Sequence, residues 1–352
     1  MRKAYLDNIR WFIILLVLVF HVVAIFCSCG ALMSYNYPGI PALDAIGYFV
    51  YPWFMPCMFV VAGISARFSL AKKSNMQFVK DRAVRLLLPF VSYLVLIGPF
   101  AASLSFRVNH LDEAFSALPG FVVFFIRILN GMGPSWFLLQ LFVVSLILVL
   151  IKRLDKADRL STWAQKCNGW ILLLLFFPVW GAAQILYIAY TFRVGLYLLL
   201  FLLGYYVFSQ EKIQQLLQKY SPTLLITGAV LGVAQTYVSW GQPFQNVVNH
   251  WLVMLFTWVM TLAVLGGAGR WFNHNNWFTQ YMTKRSYGLY YFHYVPMTYI
   301  SYWLTTKLTL PYIWNYVLVL ALSIVASILL YEIFSRVPVV NVLFGLEKRR
   351  KA

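Results

Sequence analysis

An aspartate, an arginine and a histidine stand in the otherwise apolar stretch Tyr5-Leu-Asp-Asn-Ile-Arg-Trp-Phe-Ile-Ile-Leu-Leu-Val-Leu-Val-Phe-His21. Read as a helix turning about 100° per residue, it sets Arg10 and His21 within about 20° of one another and about 16 Å apart along the axis. Asp7 falls about 40° from His21 on the same wheel, so one stripe carries an acid and a cation at its start and a titratable imidazole deep inside. Imidazole, with an unperturbed pKa of about 6.5, suits proton transfer near neutrality, which makes His21 a candidate general base. Buried ionisable groups in such a segment are functional by default. The competing reading is that Arg10 marks the membrane interface and His21 bonds a neighbouring helix. A straight helix separates Asp7 from His21 by about 20 Å, so Asp7 orients or balances charge and is no direct partner of the base. Arg10 pairs with Asp7 or holds the anionic end of a donor.

Two other places carry chemistry. In Asp81-Arg82-Ala-Val-Arg85 the arginines are three apart, on one face of a helix, and their planar forks suit a phosphate; anionic lipid headgroups are the rival ligand. In Lys284-Arg-Ser-Tyr-Gly-Leu-Tyr-Tyr-Phe-His293, Ser286 and His293 are two turns apart on one face, bringing a second imidazole inward. Glu332 is the remaining acid near the core, and snorkelling to water is its default. His110, His250 and His274 fall in loops or at a helix end and read as solvated. Cys27, Cys29, Cys57 and Cys167 have no metal-ligand spacing and read as packing residues, so no metal is expected.

These residues must be positioned by apolar helices. Of 352 residues 62% are hydrophobic and 11% charged, a composition that excludes a soluble globule and describes an all-α polytopic membrane protein. Apolar windows place about ten transmembrane helices near 10–29, 45–66, 86–106, 134–151, 169–187, 194–209, 222–240, 250–269, 287–303 and 313–335. With both termini cytoplasmic, all but four of the 28 Lys and Arg (Arg107, Arg127, Arg193 and Lys307) lie on the inside or its flanks. The net charge of +18 is thereby explained by topology, which argues against nucleic acid as a partner. The first apolar run has no small-residue cleavage pattern and is expected to stay as a helix, within a single domain over 1–352 and without a fused soluble domain.

Several connections have character of their own. Pro52, Pro56 and Gly63 lie inside the second span, where the prolines break backbone bonds that must be satisfied elsewhere and suggest a kink facing a cavity or a close helix neighbour. Loop 30–44, with Tyr35, Tyr37, Pro38 and Pro41, reads as a turn-rich connector. The segment Leu118-Pro-Gly-Phe-Val-Val-Phe-Phe-Ile-Arg-Ile-Leu129 is too short to span and reads as a re-entrant or interfacial helix. Gly131-Met-Gly-Pro-Ser-Trp136 then opens the fourth span as an outside lid or as an ordinary turn. Segments 152–166 and 210–220 serve topology.

Taken together, Leu6-Asp7 before Arg10, the Arg-x10-His spacing ending at His21, Arg82-x-x-Arg85, Pro134-Ser-Trp-Phe-Leu138 and Ser286-Tyr-Gly-Leu-Tyr-Tyr-Phe-His293 resemble the membrane-bound acyltransferase 3 family. That family includes bacterial glycan O-acetyltransferases and the succinyl transferase of osmoregulated periplasmic glucans. The resemblance covers nearly the whole chain. It implies transfer of an acyl group, usually acetyl, from cytoplasmic acyl-CoA to a hydroxyl of an acceptor at or across a bacterial inner membrane. It also implies essential roles for Arg10 and His21 and contact of Arg82 and Arg85 with the donor's phosphates. Trp11 departs from the small residue that many members carry after the arginine.

On this reading His21 is the general base and Ser286 and His293 line the donor tunnel or polarise the carbonyl, with a covalent acyl-histidine as the alternative route. The expected partners are acyl-CoA, a glycan, lipid-linked sugar or small-molecule acceptor, and the lipid bilayer; a homo-oligomer is compatible with it. The rival function is a transporter or lipid flippase using the same buried imidazoles, though no inverted repeat is visible.

Overall fold

Long apolar runs have to satisfy their backbone groups internally once water is gone, and here they do so as helices. The computed structural model describes residues 3–28, 35 and 37–346. Among these, α1 (Ala4–Ile25), α2 (Asp44–Leu70), α3 (Asn75–Val108), α4 (Gly120–Asn130) and α5 (Trp136–Leu154) fill the first half. They are followed by α6 (Gly169–Gln184), α7 (Val194–Phe208), α8 (Glu211–Ser239), α9 (Trp251–Trp271), α10 (Trp277–Phe292), α11 (Tyr294–Lys307) and α12 (Tyr312–Phe334). Seven are long and apolar enough to cross a membrane, and an eighth if Arg159–Gln165 and α6, which meet at 114°, form one broken span. The other two expected crossings are short α7 and the pair α10 and α11, interrupted at His293. Cys29 and the first part of loop 30–44 lie outside the described residues.

The chain divides into two compact units. The first comprises Met1–Leu16, Tyr48–Arg82 and Gln140–Thr283. Here the α2 prolines have the consequence that their missing N–H groups demand. Pro52 leaves the Tyr48 carbonyl without its helical donor, and the buried Gln235 amide of α8 donates to it at 2.9 Å. Pro56 does the same to the Pro52 carbonyl, and the Thr257 hydroxyl of α9 donates to that oxygen at 3.0 Å. Helix α2 is thus tied to two neighbours through its own freed acceptors. Replacing Gln235 with Leu should therefore lower stability by about 1–3 kcal/mol, because it leaves a buried carbonyl unpaired at nearly constant volume. A thermal melt of the solubilised protein reads this, and an unchanged melt would contradict it.

Gly63 of α2 lies against α7: a β-carbon there would stand 2.1 Å from the Phe201 carbonyl oxygen and 3.0 Å from the Gly204 Cα. Small residues bring the two backbones into direct contact. In the same unit Arg193, expected as a loop cation, is 1% exposed and donates to the Val248 carbonyl at 3.1 Å. Cys57 and Cys167 are buried free thiols.

The second unit comprises Val17–Gly47, Ala83–Leu139 and Lys284–Ala352. Its part of α3 contains two π-helical segments, Ala83–Leu87 and Tyr93–Ile97, on either side of Leu88–Ser92. Pro89 removes the donor to the Arg85 carbonyl, and the Tyr287 hydroxyl donates there at 3.4 Å. The wider winding places side chains off the simple α-helical wheel. Helix α4 buries none of its residues and leaves Phe121, Phe124, Phe125 and Leu129 exposed, while its own Arg127 pairs with Asp112. Gly131, directly after α4, packs on the Gly98 backbone of α3, with a β-carbon position 2.4 Å from the Gly98 oxygen.

Candidate functional site

Four of the sequence-predicted residues meet in pairs, Asp7 with Arg10 in the first unit and His21 with His293 in the second. In the first unit the opening turns of α1 hold Asp7 and Arg10, which pair at 2.5 Å, one helical turn apart. The other guanidinium nitrogen of Arg10 donates to the Ser65 hydroxyl of α2, and that hydroxyl donates to the Val61 carbonyl at 2.8 Å. Asn8 donates to the carbonyls of Phe272 at 2.6 Å and His274 at 3.0 Å, fixing the start of α1 against the segment after α9. Trp11 donates to Asn8 at 2.9 Å and stands edge-on to Phe278. Arg82, also in this unit, lays its guanidinium over the Phe78 ring, 4.8 Å from the centroid. Arg10 is thus fixed in orientation by a carboxylate and a hydroxyl.

In the second unit the imidazoles of α1 and of the α10–α11 break meet. Pro296 offers no N–H to the carbonyl of Phe292, the last residue of α10, and His293 falls between the two helices. His293 is fully buried and His21 half-buried. Their rings lie 5.0 Å apart between centroids, with His293 Nε2 3.4 Å from His21 Nδ1.

The carbonyls around the pair decide where the protons are. His21 Nδ1 lies 2.7 Å from the Val17 carbonyl oxygen, and His293 Nδ1 lies 2.8 Å from that of Tyr290. A carbonyl only accepts, so each Nδ1 carries a proton in the neutral ring. The lone pair of His293 Nε2 then faces the His21 Nδ1–H, and the lone pair of His21 Nε2 is left as the basic one. His293, expected from sequence to line the donor tunnel or polarise the carbonyl, thus faces the His21 ring directly.

Around the pair stand tyrosines to which the sequence reading assigns no role. Tyr294 is edge-on to His21, with ring centroids 5.9 Å apart, and shares a hydroxyl hydrogen bond with Tyr35 of loop 30–44. Burial and then the Tyr294 hydroxyl hold the Tyr35 phenol above its ordinary value, so it stays a neutral O–H group. Tyr290 donates to the Pro134 carbonyl and Tyr291 to that of Pro89, pinning the Gly131-Met-Gly-Pro turn and the α3 proline to α10. That turn, read from sequence as a lid or a plain connection, is held on both sides. Nothing separates these tyrosines in sequence from the aromatic residues that merely fill apolar helices.

The other predicted residues are placed as follows. Ser286 is buried on α10, two turns before His293. Arg85, in the π-helical segment, is exposed. Arg82 closes the α-helical stretch Asn75–Arg82 and Arg85 lies in the π-helical segment Ala83–Leu87, so the single-face geometry of an unbroken α-helix does not describe them. Glu332 does not snorkel alone: it accepts from Arg285 at 2.8 Å. Asp44, buried at the start of α2, accepts from the Ser28 backbone N–H at 3.2 Å and from its hydroxyl.

A family model described as an acyltransferase domain, acyltransferase 3, matches residues 3–332. The chain belongs to the acyltransferase 3 family. An acyltransferase domain thus spans most of this integral membrane protein. It is 27% identical over 153 residues to the nodulation protein NolL of Mesorhizobium japonicum, a match covering 43% of this chain. The match spans 37% of the length of that curated relative. No solved structure matches this acyltransferase 3 chain.

Proposed function

We propose that the chain moves an acyl group, acetyl in the simplest case, from acyl-CoA to a hydroxyl of a glycan or other acceptor at or across the membrane. The observation that carries this reading is the His21–His293 pair, in which Val17 and Tyr290 leave His21 Nε2 as the free base. The acceptor hydroxyl gives its proton to His21 Nε2 while its oxygen attacks the thioester carbon. The tetrahedral adduct then expels the thiolate, which takes the proton back from the imidazolium and leaves as CoA thiol. During the step the charge on His21 is shared with the Val17 carbonyl and the His293 lone pair, both already aimed at Nδ1. His293 is a positioning residue in this scheme, and Asp7, Arg10 and Ser65 form a separate brace at the start of α1.

CoA is recognised by its phosphates, for which Arg82 and Arg85 are the candidate cations, Ser286 belonging to the donor path beyond them. With Arg82 and Arg85 both changed to Ala, the KM for acetyl-CoA should rise at least tenfold. That for S-acetyl-N-acetylcysteamine, which has the thioester and no nucleotide, should not move. Equal losses with both donors would remove the phosphate role; transfer from neither donor by the unaltered chain would remove the acyl-transfer reading. The cell envelope of a bacterial inner membrane is the expected setting, and a base-labile acyl ester on its glycans the expected product.

A further inference from the structure

Four tyrosines lie close around Gly133 and the histidine pair, and three of their hydroxyls are taken. Tyr290 donates to Pro134, Tyr291 to Pro89, and Tyr294 shares its bond with Tyr35. The fourth, Tyr93, is 1% exposed, and its hydroxyl has no hydrogen-bond partner among the described residues. A buried phenol in that state is a standing cost that packing alone does not offset. Phenylalanine would fill the same space without it.

The geometry around this hydroxyl is specific. Tyr93 opens the π-helical segment Tyr93–Ile97, a winding that recurs at functional sites, and its ring is held edge-on by Tyr291 at 5.2 Å. Gly133 has φ +46°, and a β-carbon there would stand 3.0 Å both from the Tyr93 oxygen and from Cδ1 of Tyr294. Glycine keeps the ground beside the hydroxyl clear in a conformation that side-chain-bearing residues rarely adopt. The opposite side of that story is the Tyr294 ring, which is itself edge-on to His21. The Tyr93 hydroxyl and the Tyr294 ring thus border one glycine, and that ring in turn borders His21.

Resting on the acyl-transfer reading, we propose that Tyr93 is a further catalytic residue: its O–H donates to the thioester carbonyl oxygen as that oxygen becomes an oxyanion. A carbonyl oxygen can only accept and needs such a donor, whereas the acceptor hydroxyl is itself a donor and is consumed by His21. In the step, the acceptor O–H proton goes to His21 Nε2 and the new C–O bond forms. The carbonyl π pair moves to oxygen and is held there by Tyr93, which keeps its own proton. When the pair returns, the C–S bond breaks and the thiolate takes the proton from His21. Removing one such donor lowers kcat by about 10²–10³-fold in other acyl-transfer enzymes.

The test uses membranes of a deletion strain carrying the full chain, so that the native acceptor is present, fed radiolabelled acetyl-CoA. Tyr93→Phe should lower kcat about 10²-fold, leave the KM for acetyl-CoA within about threefold, and melt no lower than the wild type. Genetic incorporation of 3-fluorotyrosine at position 93 keeps the donor and should restore transfer. Wild-type kcat in Tyr93→Phe, or a fluorotyrosine protein as slow as the phenylalanine one, overturns the assignment. Absence of labelled ester with the wild-type chain and with every variant would instead overturn the acyl-transfer reading beneath it.

Discussion

Changing His21 to Ala is expected to lower acyl transfer by about 10³-fold while CoA binding is retained, because general-base catalysis contributes about 10²–10⁴. The fold should survive. The ring is only half-buried, and its Nδ1 contacts are to Val17, one turn back on its own helix, and to the buried His293 Nε2, so a thermal melt read beside the rate separates structural loss from catalytic loss. His293 works one remove further back, and His293→Phe is expected to cost about tenfold by taking away the lone pair that faces the His21 Nδ1–H. The two variants are separated by initial rates in membranes and by calorimetric titration with CoA. His21→Ala, folded and binding CoA, at the wild-type rate would make the base assignment wrong.

The largest structural effect is expected from Gly63→Leu. The β-carbon position is fixed by the backbone, so no rotamer relieves a site 2.1 Å from the Phe201 oxygen, 2.9 Å from the Tyr205 nitrogen and 3.0 Å from the Gly204 Cα. Helices α2 and α7 would have to separate, exposing packed surface that lipid does not reward, and a loss above about 4 kcal/mol follows from overpacking of this severity. Gly63→Ala already introduces the offending atom and should melt well below the wild type. Gly181→Ala in α6 is the control: nothing stands within 4 Å of its β-carbon position, and the better helix former should be neutral or slightly stabilising, by up to about 1 kcal/mol. Fluorescence-detected gel filtration after heating measures all three, and a folded, monodisperse Gly63→Leu protein would contradict the close approach.

Much of this architecture is legible in the apolar runs, since a window of about 20 residues without charge has few options in a bilayer. The prolines of α2 announce that carbonyls must be served from outside, and the structure answers with Gln235 and Thr257. Which helix supplies the donor is a tertiary fact that spacing does not contain. The same limit applies to the site. His21 stands out because an imidazole interrupts an apolar helix, and His293 for the same reason, but their contact joins residues 272 apart in sequence. Pro296 carried a signal for the break at His293 that periodicity, by continuing the helix through it, passes over. The π-helical winding around Arg85 has no local signature either, so an α-helical wheel misplaces Arg82 relative to Arg85. Tyr93, Tyr35 and Tyr294 are invisible among 23 tyrosines until their hydroxyls are seen paired or unpaired. Arg193 and Glu332 show the complement: charges assigned to water from sequence, one fully buried and one in an ion pair.

The most direct measurement is the fate of the acyl carbon in sealed vesicles made from cells carrying the wild-type chain, loaded with [1-¹⁴C]acetyl-CoA. Label is expected to enter the glycan or lipid fraction in step with release of CoA thiol and to leave it on mild alkaline treatment, as an O-linked ester must. Movement of unmodified substrate across the vesicle without any acyl donor, with no labelled ester formed, would contradict it and mark the chain as a carrier.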